Sequence, residues 1–228
     1  MSAMRRRRLR LVIGIIIALI SYFGYQNLGG APLAVNESSE VSSELKTMYV
    51  DADEKLDKLE VKGRAPKTDY SRSQFGDGWE YDGVCDMRNV ILNRDLTNVI
   101  VDENCKVQSG LLKDPYTATQ IKFVRGPSTS DDVQIDHVVA LSDAWQKGAQ
   151  QLSFSDRQKF SNDPLNLLAV DGASNQAKSD SDAASWLPPN KAFRCQYVSR
   201  QVEVKFKYKL WVTQAEKDSI NRVLDACL

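Results

Sequence analysis

Asp131-Asp-Val-Gln-Ile-Asp-His-Val-Val-Ala-Leu141 holds the only histidine of the 228-residue chain, His137, directly after Asp136. Imidazole is the side chain best suited to take a proton near neutral pH, and an adjacent carboxylate can hold a divalent metal. One histidine also forbids several mechanisms. Multi-histidine zinc sites are excluded, and a Ser-His-Asp triad would have to use His137 itself. The segment has no Gly-x-Ser-x-Gly elbow to support a triad. By itself, an Asp-His pair is equally well explained by a histidine that caps a loop.

The reading changes with a second segment, Asn166-Leu-Leu-Ala-Val-Asp-Gly-Ala-Ser-Asn-Gln-Ala-Lys178-Ser-Asp180. With Asp136 and His137 it resembles the HNH endonuclease motif, in which Asp-His is followed by Asn-Leu-x-x-Leu and then by His or Asn, two residues and Lys. Asp136 and His137 stand at the Asp-His pair, Asn166 at the middle asparagine, Asn175 at the last position and Lys178 at the trailing lysine. The nine-residue step from Asn166 to Asn175 is the step of the family. Further stretches are similar to exported bacterial HNH proteins related to the C-terminal domain of GmrSD-type restriction enzymes: Tyr70-Ser-Arg-x3-Phe-Gly-x2-Trp79, Cys85-Asp-Met-Arg-Asn89, Asp114-Pro-Tyr116, Asp136-His-Val-Val-Ala-Leu-x3-Trp145-x2-Gly-Ala149 and Phe160-x-Asn-Asp163. The resemblance covers most of Tyr70 to Cys227.

This resemblance implies an α+β fold with a ββα-metal (HNH) motif inside a mainly helical, disulfide-stabilised domain. A hairpin would present Asp136 and His137, and the helix after it Asn175. His137 would be the general base, and Asp136 and Asn175 would hold Mg2+ or another divalent cation such as Mn2+. Two oxygen ligands suit Mg2+, which keeps several of its waters. Asn166 would brace the loop bearing the histidine, while Lys178 would either contact a phosphate or pair with Asp180. Many HNH proteins carry a structural zinc on two Cys-x2-Cys pairs, but Asp171 and Ser174 occupy the positions of one pair, so no structural zinc is expected. The implied activity is hydrolysis of DNA with little sequence specificity. RNA as substrate, or a non-catalytic envelope domain that keeps the HNH frame, are the alternatives. Asp143 and Asp163 read as loop or cap residues, and Trp145 and Trp186 as core aromatics.

Charge and cysteines bound the setting. The chain balances 30 basic against 30 acidic residues, yet Arg5, Arg6, Arg7, Arg8 and Arg10 precede any acid, leaving 25 against 30 in the remainder. So acidic a body does not coat polyanions indiscriminately, because non-specific nucleic-acid affinity comes from Lys and Arg displacing counterions. The arginines are followed by the apolar run Leu11 to Tyr25, the pattern of an export signal or a retained membrane anchor. We therefore divide the chain into an N-terminal signal or anchor (1–35), a tether with an amphipathic helix (36–68) and the HNH domain (69–228), placed outside the cytoplasm. There an even cysteine number means disulfides. Of the three connectivities, the sequence-local pairs Cys85–Cys105 and Cys195–Cys227 are favoured over a four-cysteine zinc site, which lacks any Cys-x2-Cys spacing.

Local patterns fill in the rest. Leu45, Met48, Ala52, Leu56 and Leu59 recur at helical steps across Glu44 to Leu59. Thr213-Gln-Ala-Glu216 predicts a capping box and a last helix to about Ala226, and Asp182 a cap ahead of Ala-Ala-Ser-Trp. Residues 202–212 fit a strand by alternation and a helix by the stripe Tyr197, Gln201, Val204, Tyr208, Trp211. Lys191, Arg194, Arg200, Lys205, Lys207 and Lys209, with only Glu203 acidic among them, form the candidate groove for a nucleic-acid backbone.

Overall fold

The computed structural model describes residues 37–127 and 130–228. The arginine-rich apolar segment lies outside the described residues. Helix α1 (Glu37–Lys58) starts at Glu37 rather than Glu44, so the part of the expected tether from Glu37 to Ser43 is helical. Among the described residues no helix is long and apolar enough to cross a membrane. Residues Glu44–Leu228 gather into one unit, to whose core α1 contributes Ala52 and Leu56.

Helix α2 (Met87–Asp95) is capped by Asp86, whose carboxylate accepts the Asn89 N–H at 2.9 Å. Its Ile91 and Leu92 pack with Leu112 and Phe123 of a three-stranded antiparallel sheet, β1 (Leu96–Val101), β2 (Val107–Lys113) and β3 (Gln120–Val124). Cys85–Cys105 pins the approach to α2 to the β1–β2 turn. After Asp114-Pro115-Tyr116, which ends β2 as its turn residues predict, the chain returns through β3 to β4 (Val133–His137). That strand pairs antiparallel with β5 (Leu167–Asp171). Between them lie α3 (Leu141–Gln146) and α4 (Phe154–Asn162), and α5 (Gly172–Lys178) follows β5 at once. Helices α6 (Arg194–Lys207) and α7 (Gln214–Leu224) close the fold, joined by Cys195–Cys227. The protein is thus an α+β domain with two disulfides, both in the sequence-local pairing.

Two ambiguous stretches resolve through burial. Residues 202–207 are helical, because Val198, Val202 and Val204 with Tyr197 and Gln201 all turn inward on α6, whereas a strand there would send half of them to solvent. Asp182, expected to cap a helix, instead heads a turn in which its carbonyl accepts from Ser185 and Trp186 N–H, each at 3.0 Å. Its carboxylate still caps that turn, Oδ1 accepting the Ala184 N–H at 3.0 Å, while Oδ2 meets Lys147 at 2.7 Å and Arg64 at 2.8 Å.

Those contacts belong to a buried ionic cluster. Lys147 Nζ touches Asp143 at 2.7 Å, Asp182 at 2.7 Å and Glu216 at 2.6 Å. Lys205 Nζ reaches Glu216 at 2.8 Å and Asp143 at 3.2 Å, and Arg64 completes the set at 3.0 Å from Asp143. Three cations thus face three carboxylates. Thr213 caps α7 by accepting the Glu216 N–H at 3.2 Å, but the Glu216 side chain does not reach back as a capping box would; the buried lysines hold it. The carboxylates outweigh burial at Lys205 and hold its ammonium well above the ordinary lysine range.

Removing one partner of a buried pair strands the opposite charge, at about 3–5 kcal/mol. Lys205→Met is expected to lower unfolding free energy by that amount in urea titrations; a change within about 0.5 kcal/mol would show that the cluster is not a stabilising unit.

Candidate active site

The β4–β5 ribbon lies between two cores. Val133, Ile135, Leu167 and Ala169 face the sheet and α2, while Leu168 and Val170 face the cluster of α1, α6 and α7. Alternation along β4 then separates the motif residues, sending Gln134 and Asp136 to one side and His137 to the other. Helix α5 starts directly from β5, capped by Asp171, which accepts the Ser174 N–H at 2.7 Å. A Cβ on Gly172 would collide with the Asp131 carbonyl oxygen, so the corner requires glycine. The helix brings Asn175 beside β4, where its Nδ2 donates to Gln134 Oε1 at 2.9 Å.

Asp136 is buried, and both its oxygens accept: Oδ2 from the Tyr116 hydroxyl at 2.5 Å and Oδ1 from Lys178 Nζ at 2.9 Å. Burial raises its carboxyl above the ordinary aspartate range, with Lys178 and Tyr116 offsetting part of the effect. Lys178 fits neither expected role. It has no solvent exposure, and besides Asp136 it donates to the His137 carbonyl at 2.9 Å. Asp180, its expected surface partner, accepts instead from Lys67 at 3.1 Å and Ser142 at 2.9 Å. The helix turns Lys178 inward, where a carboxylate and a carbonyl replace its lost hydration.

His137 is buried, and its Nε2 lies 2.9 Å from the Ser161 carbonyl oxygen. A carbonyl can only accept, so Nε2 carries the hydrogen and Nδ1 the lone pair. The imidazole stacks on Trp79 at 8° with 5.8 Å between centroids. Burial lowers its pKa to about 3; the Ser161 bond opposes this, and the charges of Arg72 and Lys178 add to it. Asn166, fully buried, accepts the Val139 N–H at 2.8 Å, and its own carbonyl accepts the Val138 N–H at 2.8 Å. It bonds the backbone immediately after His137.

Asp136, His137, Gln134 and Asn175 border one cleft of about 380 Å³, together with Lys67 and Arg72. Its donors are hard oxygens, which suit Mg2+ or Mn2+. Each carboxylate oxygen has two lone-pair positions, so Asp136 retains capacity beyond Tyr116 and Lys178, and Asn175 retains Oδ1. The residues therefore fit a cation that takes most of its ligands from water or phosphate. Among the described residues no three His, Cys, Asp or Glu side chains gather to hold a metal by themselves.

The expected basic groove does not form. Lys205 is in the buried ionic cluster, Lys207 pairs with Asp163 at 2.6 Å, Arg200 donates to the Leu165 carbonyl at 2.6 Å and Arg194 to that of Pro188 at 2.8 Å. Of the six, Lys191 and Lys209 alone are exposed and without an ion pair among the described residues. At 3.6 residues per turn, a run that alternates in sequence is distributed around α6. Asp143 is no loop residue but part of that cluster, whereas Asp163 follows α4 and Trp145 packs in the core. Arg72, Trp79 and Tyr116 reach the site without having been singled out for it. Tyr-Ser-Arg, Gly-x2-Trp and Asp-Pro-Tyr were visible as stretches, but nothing in them specified contact of Trp79 with a histidine 58 residues away, or of Tyr116 with Asp136.

Residues 86–223 match the family described as GmrSD restriction endonucleases, C-terminal domain, and the chain belongs to it. Membership points to a nuclease-like function. A protein of the fungus Arthroderma benhamiae, described as an uncharacterized secreted protein, is 40% identical over 174 residues, 75% of this chain and 82% of the relative. The likeness is therefore not confined to the bacterial proteins with which the motif was compared. A secreted relative and two disulfides fit a location outside the cytosol. No solved structure matches the chain.

A histidine whose folded pKa is depressed binds fewer protons folded than unfolded. Its contribution to stability is full above 6.5 and is lost as pH falls toward the folded value of about 3. In EDTA, the wild type is expected to lose about 2.5 kcal/mol more than His137→Gln between pH 7 and pH 4.5. Parallel pH profiles of the two proteins in urea denaturation would contradict a buried neutral imidazole.

Proposed function

We propose that the chain is a metal-dependent HNH endonuclease that hydrolyses DNA phosphodiester bonds outside the cytoplasm, with β4, β5 and α5 as its ββα-metal module. The observation that carries this reading is His137: a buried imidazole, fixed through Nε2 to Ser161, on the same cleft as Asp136 and Asn175. With Nε2 committed, Nδ1 is the atom that takes a proton from the attacking water. Burial keeps the imidazole neutral, so that lone pair carries no proton at neutral pH, and Asn166 fixes the backbone behind it.

Asp136 and Asn175 are the side chains that would hold the cation, which when bound neutralises the phosphate and the departing 3′ oxygen. Tyr116 and Lys178 orient Asp136. The new bond joins the water oxygen to phosphorus while the bond from phosphorus to the 3′ oxygen breaks. The 3′ oxygen leaves with a proton from solvent, giving 5′-phosphate and 3′-hydroxyl ends. Arg72, without an ion pair among the described residues, brings positive charge to the cleft rim in an otherwise acidic body, whereas the charge of Lys67 is met by Asp180. Contacts to phosphate and sugar carry no sequence information, which supports low specificity.

The test is plasmid nicking by the purified, disulfide-intact protein with Mg2+ or Mn2+ and with EDTA, beside His137→Ala. Metal-dependent nicking that falls about 10²–10⁴-fold in the variant is expected. Equal behaviour of the two proteins would remove the assignment and favour a binding module on the same frame. Cutting of RNA but not DNA would overturn the choice of substrate.

A further inference from the structure

His137 borders a second pocket, of about 160 Å³, lined also by Phe75, Gly78, Trp79, Arg72 and Leu141. It shares His137, Arg72 and Leu141 with the larger cleft, so a ligand held by one is contiguous with a ligand held by the other. Its character differs. Phe75, Trp79 and Leu141 give it apolar walls, and Trp79 remains partly exposed beside a polar site. Gly78, at φ +98, contributes bare backbone, and a Cβ built there meets nothing within 4 Å, so that wall is open. Arg72 is exposed, forms no ion pair among the described residues and borders both spaces.

We infer that this pocket is a subsite for the nucleobase of a nucleotide next to the scissile phosphate, packed against Trp79 while Arg72 faces the phosphate between the two spaces. The inference rests on the proposed nuclease reading and adds a strand preference to it. Every base has an apolar π-face, so an aromatic-walled pocket takes any base and reads no sequence. A base seated there has left the duplex stack, which makes single-stranded or unpaired DNA the better substrate. Trp79 would hold the ligand as well as buttress His137, and these two roles are separable.

The experiment measures binding in EDTA by fluorescence anisotropy, so that it does not depend on cleavage. The probes are a labelled single-stranded oligonucleotide and a strand of equal length and charge with every base removed. Wild type is expected to bind the intact strand about 5- to 150-fold more tightly than the abasic one, the range for stacking one base. Trp79→Ala should lose that advantage while binding the abasic strand as wild type does, and Trp79→Phe should keep most of it. No preference for bases in wild type, or an equal loss on both strands in Trp79→Ala and Trp79→Phe, would overturn the subsite. Plasmid nicking is scored separately. Nicking without base-dependent binding refutes the subsite and leaves the nuclease, whereas base-dependent binding without nicking does the reverse.

Discussion

Lys147 and Lys205 have no solvent exposure, and the architecture depends on their being met by Asp143, Asp182 and Glu216. Isolated charges in such a place would cost more than a domain of this size has in net stability. The carboxylates arrive from three directions: Asp143 from α3, Asp182 from the turn beyond α5, Glu216 from the first turn of α7. Lys147 to Asp182 and to Glu216, and Lys205 to Asp143, close long loops of chain, and the lysines hold the pieces in one register. Two of these pieces lead straight out of the site. The segment after His137 runs into α3, and the segment after Lys178 runs into the Asp182 turn. Anchoring both fixes the ends of β4 and α5 without using Asp136, His137 or Asn175.

A smaller version of the same device operates inside the site. Lys178 bonds the Asp136 carboxylate and the His137 carbonyl together, joining α5 to the end of β4. Tyr116 fixes the other oxygen of Asp136 from the turn after β2, and Ser161 fixes His137 from the end of α4. The two neighbouring motif residues are thus oriented by partners from three different parts of the chain. Bonds of this kind hold both side chains in one orientation before any ligand arrives.

Much of the site was legible because its signal lies in spacing. Asp136-His137, Asn166 and Asn175 fall in register, and the structure gathers Asp136, His137 and Asn175 around one cleft with Asn166 behind them. The local cysteine pairs and the Thr213 cap were legible for the same reason, since each depends on neighbours within a short reach of chain. What sequence could not convey is which charges are inside. Lys178, Lys205 and Glu216 look like surface residues, and their burial follows only from partners 42, 62 and 69 positions away. The basic run from Lys191 to Lys209 failed as a groove on this account, because partners from elsewhere recruit its members singly. Residues 202–207 were ambiguous until the neighbours of Val202 and Val204 were known: two periodicities coexist in that stretch, and only tertiary burial selects between them.

Cys195–Cys227 closes a loop that contains both Lys205 and Glu216. Helices α6 and α7 cannot then peel away one after the other from the C-terminal side; they must open together, with the ionic cluster breaking in the same event. Partial openings that expose a few residues at a time are the ones proteases exploit. A covalent clasp around the charged centre removes a set of them, which favours slow, all-or-none unfolding over gradual fraying. Where such a barrier governs unfolding, lifetime is set by its height rather than by equilibrium stability.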